Sequence, residues 1–67
     1  MTFDQILPQL KKGYSVTREA WVNKIVELYE FSTFYAFLQT DAYGQMKVWT
    51  PTTEDILADD WRVVDAQ

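Results

Sequence analysis

The sequence has no cysteine and no histidine, and in a chain of 67 residues this absence constrains the fold more than any other feature. A chain this short buries only about 60% of the surface that its unfolded form exposes, and such domains often need disulfides, a metal or self-association to be stable. The composition excludes disulfides and Cys/His metal sites. We therefore expect one domain over residues 1–67 that assembles as a homo-oligomer, either a dimer or a tetramer.

The same absence leaves carboxylates, hydroxyls, amides and aromatic rings as the groups available for chemistry. The adjacent acidic pairs Glu54-Asp55 and Asp59-Asp60 are the candidates for paired-carboxylate catalysis. Both also suit structural roles, since a helix N-terminus favours acidic residues and adjacent aspartates favour a turn. We interpret both pairs as structural and expect no catalytic residue, no metal site and no cofactor.

The charge and hydropathy of the chain limit the cellular environments and the classes of partner that we expect for it. The net charge is -4, with two basic and six acidic residues in positions 36–67 against four of each in positions 1–35. An acidic chain without a basic patch is poorly suited to nucleic acid. The longest uncharged run, residues 31–40, is far shorter than the roughly 20 residues of a membrane span, and no secretory signal is evident. We expect a soluble cytoplasmic protein with no nucleic-acid or membrane partner.

Local patterns predict a short N-terminal helix over residues 3–12. Residues 2–5 read Thr-Phe-Asp-Gln, which is typical of a capping box. The apolar positions that follow have the spacing of one helix face: Phe3, Ile6, Leu7 and Leu10. Pro8 removes one backbone hydrogen bond and favours a kink, and Gly13 can take a left-handed conformation just past the helix end.

The rest of the chain has the pattern of strands separated by turns. Strand-like runs occupy residues 16–19, 24–31, 34–40, 45–49 and 61–64. We expect turns at Ser32-Thr33 and before Gly44, and one helical turn after Pro51 whose Ile56 and Leu57 pack on the sheet. The second run carries apolar residues at both alternating sets of positions, which is compatible with cover on both sheet faces. The sequence thus predicts an α+β domain with an antiparallel β-meander of about four to five strands and one helical turn before the last strand.

Eleven aromatic residues, three of them tryptophan, are more than so small a core can hide, since each buries about 150–250 Å². Trp21 and Trp49 are candidates for stacking on a nucleobase or a protein partner, and equally for the core or an oligomer interface. Trp61 fits the core best. Arg18 precedes Trp21 by three residues and could meet a phosphate or carboxylate. A salt bridge from Arg18 to a C-terminal carboxylate such as Asp55 is the structural alternative.

These residues resemble a known family. The resemblance spans nearly the whole chain and is most specific from Trp49 to Trp61; it rests on Phe3, the Lys11-Lys12-Gly13 segment, Val16, Arg18, Trp21, the Gly44–Trp49 segment and Asp55-Ile56-Leu57-Ala58-Asp59-Asp60-Trp61. The sequence is similar to small phage-type proteins long catalogued as a domain of unknown function, among them the second Thoeris anti-defence sponge type. The resemblance implies an α+β fold, assembly as a dimer of dimers, and capture of a cyclic ADP-ribose-type immune signal without cleavage.

The resemblance also implies ligand-binding positions, which are Arg18, Trp21, Asn23, Trp49, Thr50, Thr53 and Asp55. The chain departs from the family where Trp21 is followed by Val22 and Asn23 rather than by Asn-Gly, and where Ser32-Thr33 replaces a longer loop. Since the chain is acidic, an anionic ligand would require cationic side chains or backbone N–H groups to converge on it. The candidates for those cations are Arg18, Lys24 and Arg62.

Two functions follow as hypotheses. The first is an anti-defence sponge that sequesters a cyclic nucleotide or cyclic ADP-ribose-type signal. The alternative is a protein-binding inhibitor of a host defence effector, for example an anti-CRISPR protein, which would use the acidic C-terminal half to cover a basic surface. The resemblance favours the sponge, and the net charge of -4 favours the protein-binding inhibitor.

Overall fold

The computed structural model describes residues 1–64, so the predicted domain extends three residues beyond the described part. The elements in chain order are α1 (Phe3–Lys11), β1 (Val16–Arg18), β2 (Ile25–Glu30), β3 (Tyr35–Thr40), β4 (Met46–Val48), α2 (Thr53–Leu57) and β5 (Trp61–Val63). This confirms the predicted α+β fold, with an N-terminal helix, an antiparallel sheet and a short helix before the last strand. Within residues 1–64, neither helix has the length and apolarity needed to cross a bilayer.

The sheet has five antiparallel strands in the order β4-β3-β2-β1-β5. The first four strands form the predicted meander, and its hairpin at Ser32-Thr33 is closed by a 2.7 Å hydrogen bond from the Phe31 N–H to the Phe34 carbonyl. β5 does not extend the meander at β4. It lies at the far edge beside β1, where Thr17 pairs with Arg62. This return brings the C-terminal strand next to the loop that follows β1.

Helix α1 forms where the sequence signals place it. The Gln5 side chain accepts a hydrogen bond from the Thr2 N–H at 2.8 Å, which closes the capping box. The helix continues through Pro8 to Lys11. Gly13 then has a φ of 96°, and its N–H donates to the Leu10 carbonyl at 3.0 Å, so the positive-φ helix end is confirmed.

One face of the sheet carries the core. Helix α1 packs on this face, and the buried apolar residues are Ile6, Leu10, Val16, Val26, Trp49 and Trp61. Phe3, Leu28 and Phe37 pack around them. Because side chains alternate along a strand, the residues between these core positions point to the opposite face. No helix of residues 1–64 covers that second face.

Helix α2 packs differently from the prediction. Ile56 and Leu57 were expected to pack on the sheet, but both are exposed, and that prediction is wrong. The buried residue of α2 is Asp55. Its carbonyl accepts a 2.9 Å hydrogen bond from the indole N–H of the core residue Trp61. A helix of five residues presents little more than one turn to its neighbours, and polar contacts fix which side faces inward.

Candidate functional site

Arg18, at the end of β1, is held in a cluster of ion pairs. Its Nε donates to Asp60 Oδ1 at 2.8 Å, and its Nη1 donates to Asp55 Oδ1 at 3.0 Å. Glu54 Oε1 lies 3.8 Å from the same Nη1. The structure therefore places Arg18 in the salt bridge to Asp55 that was the structural alternative. A contact between Arg18 and a phosphate stays a prediction.

Asp55 joins this ion-pair cluster to the start of α2. Its backbone N–H donates to the Thr52 hydroxyl at 3.1 Å, and its Oδ2 accepts from the Thr52 N–H at 3.1 Å. Burial by itself raises the pKa of Asp55, but hydrogen bonds from Thr52 and Arg18 outweigh it, and the pKa lies below its usual value. The hydrogen bond from Arg18 likewise lowers the pKa of Asp60. Desolvation opposes this effect, and the hydrogen bond from the Ala20 N–H adds to it. Both carboxylates are thus held in the ionised form.

The three tryptophans contact one another through their edges. Trp21 meets Trp61 at a ring-centroid distance of 5.0 Å and Trp49 at 5.9 Å, in both cases nearly perpendicular. Trp49 and Trp61 are buried in the core, whereas Trp21 is half-buried. Of the three indoles, therefore, Trp21 is the one with an accessible surface for a ligand.

The loop between β1 and β2, residues 19–24, carries Trp21 and is anchored at both ends. At its start, the Ala20 N–H donates to Asp60 Oδ2 at 3.2 Å. At its end, the Thr17 hydroxyl donates to the Lys24 carbonyl at 2.6 Å. Asn23 has a φ of 54°, a left-handed conformation that asparagine tolerates better than most residues. Lys24 then folds back so that its Nζ lies 4.0 Å over the Trp21 ring.

A cavity of about 350 Å³ opens beneath this loop, and we call it the loop pocket. Its lining residues come from the loop, from four strands, from the residue after β5 and from the β3–β4 turn: Thr17, Trp21, Asn23, Lys24, Ile25, Thr40, Asp41, Ala42, Arg62 and Val64. Its volume is at the lower end of the range typical of small-molecule sites, about 300–1,000 Å³. The cationic side chains of the lining are Lys24 and Arg62, and Arg62 also makes an exposed ion pair with Glu19 at 3.3 Å.

Comparison with known protein families identifies the family to which this chain belongs. The model of the Tad2-like domain, described as a Thoeris anti-defense 2-like domain, matches residues 1–64. This chain belongs to the Tad2-like family. No individual curated protein matches it. Membership confirms the resemblance seen in the sequence and supports a Thoeris anti-defence role for this Tad2-like protein.

The seven predicted ligand-binding residues fall into separate places. Trp21 and Asn23 line the loop pocket. Arg18, Trp49 and Asp55 lie on the core side of the sheet, in the ion-pair cluster and the tryptophan cluster. The remaining two, Thr50 and Thr53, are exposed near the start of α2 and are not among the residues that line the pocket.

The sequence of this Tad2-like protein did not indicate all of the residues that line the loop pocket. Lys24 and Arg62 were named as possible partners of an anion but not as site residues, and the structure brings both to the pocket while Arg18 stays in its ion pairs. No feature of the sequence indicated that Thr17 and Thr40 would line the pocket. They reach the pocket because β1, β2, β3 and β5 are in register there.

A larger cavity, of about 720 Å³, lies on the core side between α1 and the β2–β3 hairpin, and we call it the α1 groove. Its lining is mainly apolar, with Lys11, Lys12 and Glu30 among its charged residues. It contains none of the seven predicted site residues. We regard the loop pocket as the candidate site because polar groups converge there around an accessible indole, whereas the α1 groove is mainly apolar.

Proposed function

We propose that this Tad2-like protein is a non-enzymatic sponge, which binds a cyclic nucleotide or cyclic ADP-ribose-type immune signal in the loop pocket and withholds it from its effector in the host cytoplasm. The observation that supports this proposal is the convergence of Lys24 and Arg62 beside Trp21. A nucleotide offers a base that stacks on an aromatic ring and phosphates that pair with cations. The loop pocket contains a group for each part.

The charge distribution at the pocket favours an anion despite the net charge of the chain. Asp55 and Asp60 are paired with Arg18 on the other side of the sheet. Asp41 lines the pocket, but its Oδ1 already accepts hydrogen bonds from the backbone N–H groups of Tyr43 and Gln45, at 2.9 and 3.0 Å. Two cationic side chains therefore line the pocket beside one carboxylate that is engaged in its own turn, and Arg62 would exchange its exposed ion pair with Glu19 for the bound anion.

Lys24 is the residue that would respond to the ligand. Its ammonium now lies over the Trp21 ring, which is the surface that a base would need for stacking. A stacked base would displace the ammonium, and the flexible side chain could then turn to a phosphate beside Arg62. The exchange replaces one cation–π contact by a base–aromatic contact and a charge-assisted hydrogen bond.

Binding without cleavage fits the side chains around the pocket. Its lining offers hydroxyls, an amide, an indole and two cations, with no thiol or imidazole to act as nucleophile or general base near neutral pH. Asp41 is the acidic residue of the lining, and two backbone N–H groups hold its carboxylate in the turn. We infer that a bound signal is released unchanged on heating, which mass spectrometry of the released ligand would test.

The decisive experiment compares two double variants, each of which removes two positive charges. Calorimetry measures the affinity of each variant for cyclic ADP-ribose and for cyclic dinucleotides. Lys24→Met with Arg62→Met should weaken binding about tenfold or more, since a hydrogen bond to a charged group contributes about 1.5–3 kcal/mol. Lys11→Met with Lys12→Met removes the same charge from the α1 groove and should leave affinity unchanged. The reverse result would move the site to the α1 groove, and no binding by the unmodified protein would reject the sponge.

The protein-binding alternative depends on the acidic C-terminal half. Asp55 and Asp60 are paired with Arg18, which leaves Glu54 and Asp59 as the exposed acids of the two pairs. If a host effector is the target, Glu54→Gln with Asp59→Asn should abolish inhibition in a Thoeris-protected cell, while Lys24→Met with Arg62→Met should spare it. The sponge predicts the opposite pattern.

A further inference from the structure

Two side chains of the chain itself engage the groups of the loop pocket that suit a nucleotide. Lys24 Nζ lies 4.0 Å over the Trp21 ring. Glu19 Oε1 lies 3.3 Å from Arg62 Nε. The ammonium thus covers the aromatic surface on which a base would stack, and the carboxylate pairs with the guanidinium that a phosphate would bind. Any ligand of this pocket competes with one or both of these contacts.

Both competing side chains belong to the loop between β1 and β2, whose backbone is fixed at each end. The Glu19 N–H donates to the Asp60 carbonyl at 3.1 Å, and the Lys24 carbonyl accepts from the Thr17 hydroxyl at 2.6 Å. The side chains are freer than this backbone, since that of Glu19 is 70% exposed and Lys24 is half-buried. Rotation of two side chains, without movement of the loop, is therefore enough to release the indole and the guanidinium.

The strand order brings the two contacts within reach of one small ligand. Thr17 of β1 pairs with Arg62 of β5 on one side, and its hydroxyl contacts Lys24, just before β2, on the other. Since neighbouring strands are about 4.8 Å apart, the backbones of Lys24 and Arg62 are separated by about 10 Å. Both side chains are long and line the same pocket. A single bound anion can therefore pair with both cations.

We propose that Glu19 and Lys24 determine the specificity of the loop pocket, because they make it select ligands that carry an aromatic base and an anionic group together. The proposal rests on the proposed function, which takes the loop pocket as the ligand site. A neutral nucleoside displaces the Lys24 ammonium and gives it no new partner. Inorganic phosphate displaces Glu19 from Arg62 but leaves the ring covered. A nucleotide replaces both contacts, since its base takes the ring and its phosphate pairs with Arg62 and with the released Lys24.

The sizes of these effects make the selection measurable. A cation–π contact at an exposed site corresponds to about a two- to fivefold difference in affinity. A hydrogen bond to a charged group corresponds to about tenfold or more. The phosphate contact therefore outweighs the loss of the contact between ammonium and ring. We expect the unmodified protein to bind adenosine 5′-monophosphate more tightly than adenosine, by about tenfold or more.

Lys24→Ala tests the first half of the proposal with adenosine and adenosine 5′-monophosphate as probes. The substitution uncovers the Trp21 ring but removes a partner of the phosphate. Adenosine should bind about two- to fivefold more tightly, and the monophosphate at least about twofold more weakly. NMR titration of the indole resonances measures both affinities in this chain of 7.9 kDa. Lys11→Ala, on α1 and outside the loop pocket, is the matched control and should change neither affinity.

Glu19→Gln tests the second half. The neutral amide no longer competes for Arg62, so the affinity for adenosine 5′-monophosphate should rise about two- to fivefold, the range for an exposed ion pair, while that for adenosine stays unchanged. Glu30→Gln removes the same charge at the far end of β2. It lies about 20 Å from Lys24 along the strand, beyond the Debye length of about 8 Å, and should leave both affinities unchanged. Circular dichroism verifies that each variant is folded.

Opposite changes for the two probes in Lys24→Ala support the proposal, because loss of structure would weaken the binding of both. Three results overturn it: adenosine affinity that does not rise in Lys24→Ala, monophosphate affinity that does not rise in Glu19→Gln, or no binding of either probe by the unmodified protein. Calorimetry with cyclic ADP-ribose tests the sponge separately. Binding of cyclic ADP-ribose without these changes in selectivity rejects the specificity role alone, whereas the changes in selectivity without that binding reject the sponge alone.

Discussion

Arg18 is the residue on which most of the polar structure depends. Its guanidinium joins β1 to Asp55 of α2 and to Asp60 just before β5, and the two carboxylates are far from it in sequence. The sequence allowed two roles for Arg18, because a guanidinium binds a phosphate and a carboxylate equally well. Only the fold decides between them, by bringing the carboxylates within 3.0 Å.

Removal of the Arg18 charge should destabilise the protein. Arg18→Met keeps the aliphatic part of the side chain but leaves the Asp55 carboxylate buried without its cation, which should cost about 2 kcal/mol of unfolding free energy. Arg62→Met is the matched control, since its ion pair with Glu19 is exposed, and it should change stability by less than about 0.5 kcal/mol. Urea unfolding at neutral pH measures both. Equal effects of the two substitutions would contradict a structural role for the cluster.

The same cluster predicts an acid sensitivity. The pKa values of Asp55 and Asp60 are lower in the folded protein than the value of about 3.9 in an unfolded chain. Their contribution to stability is therefore complete above that value and is lost as the pH falls through the lower pKa of the folded state. Urea midpoints should decline between about pH 5 and pH 2, and the decline should be smaller in Arg18→Met. An identical pH profile in the variant would exclude Arg18 as the cause.

At the scale of elements, local signals were sufficient for α1 and for the strands, but not for how α2 and β5 pack. The capping box and Gly13 act within a few residues, and the structure confirms both. Which side of α2 faces inward depends on two contacts of Asp55. One is with Arg18, which is distant in sequence, and the other is with Trp61, which belongs to β5. Lys24 and Arg62 meet because β5 pairs with β1 rather than β4, and no local pattern encodes that pairing.

The N-terminal cap of α2 gives a prediction at this scale. The Thr52 hydroxyl accepts from the Asp55 N–H and donates to the Asp55 carboxylate at 3.0 Å. Thr52→Ala should therefore cost about 1 kcal/mol, the usual loss for a threonine cap. Thr53→Ala, one position later and exposed, should stay within about 0.5 kcal/mol of the unmodified protein. Thermal unfolding of both variants separates a cap effect from a general effect of threonine loss.

At the scale of the whole molecule, the sheet separates three surfaces. The ion-pair cluster and the helices lie on the core side. On the other side, the loop pocket is lined by residues of β1, β2, β3 and β5, and partly exposed apolar residues of β2, β3 and β4 lie beside it. The sequence predicted an excess of aromatic surface, but not its position. That position follows from strand register, because a shift of one residue would move every side chain to the opposite face.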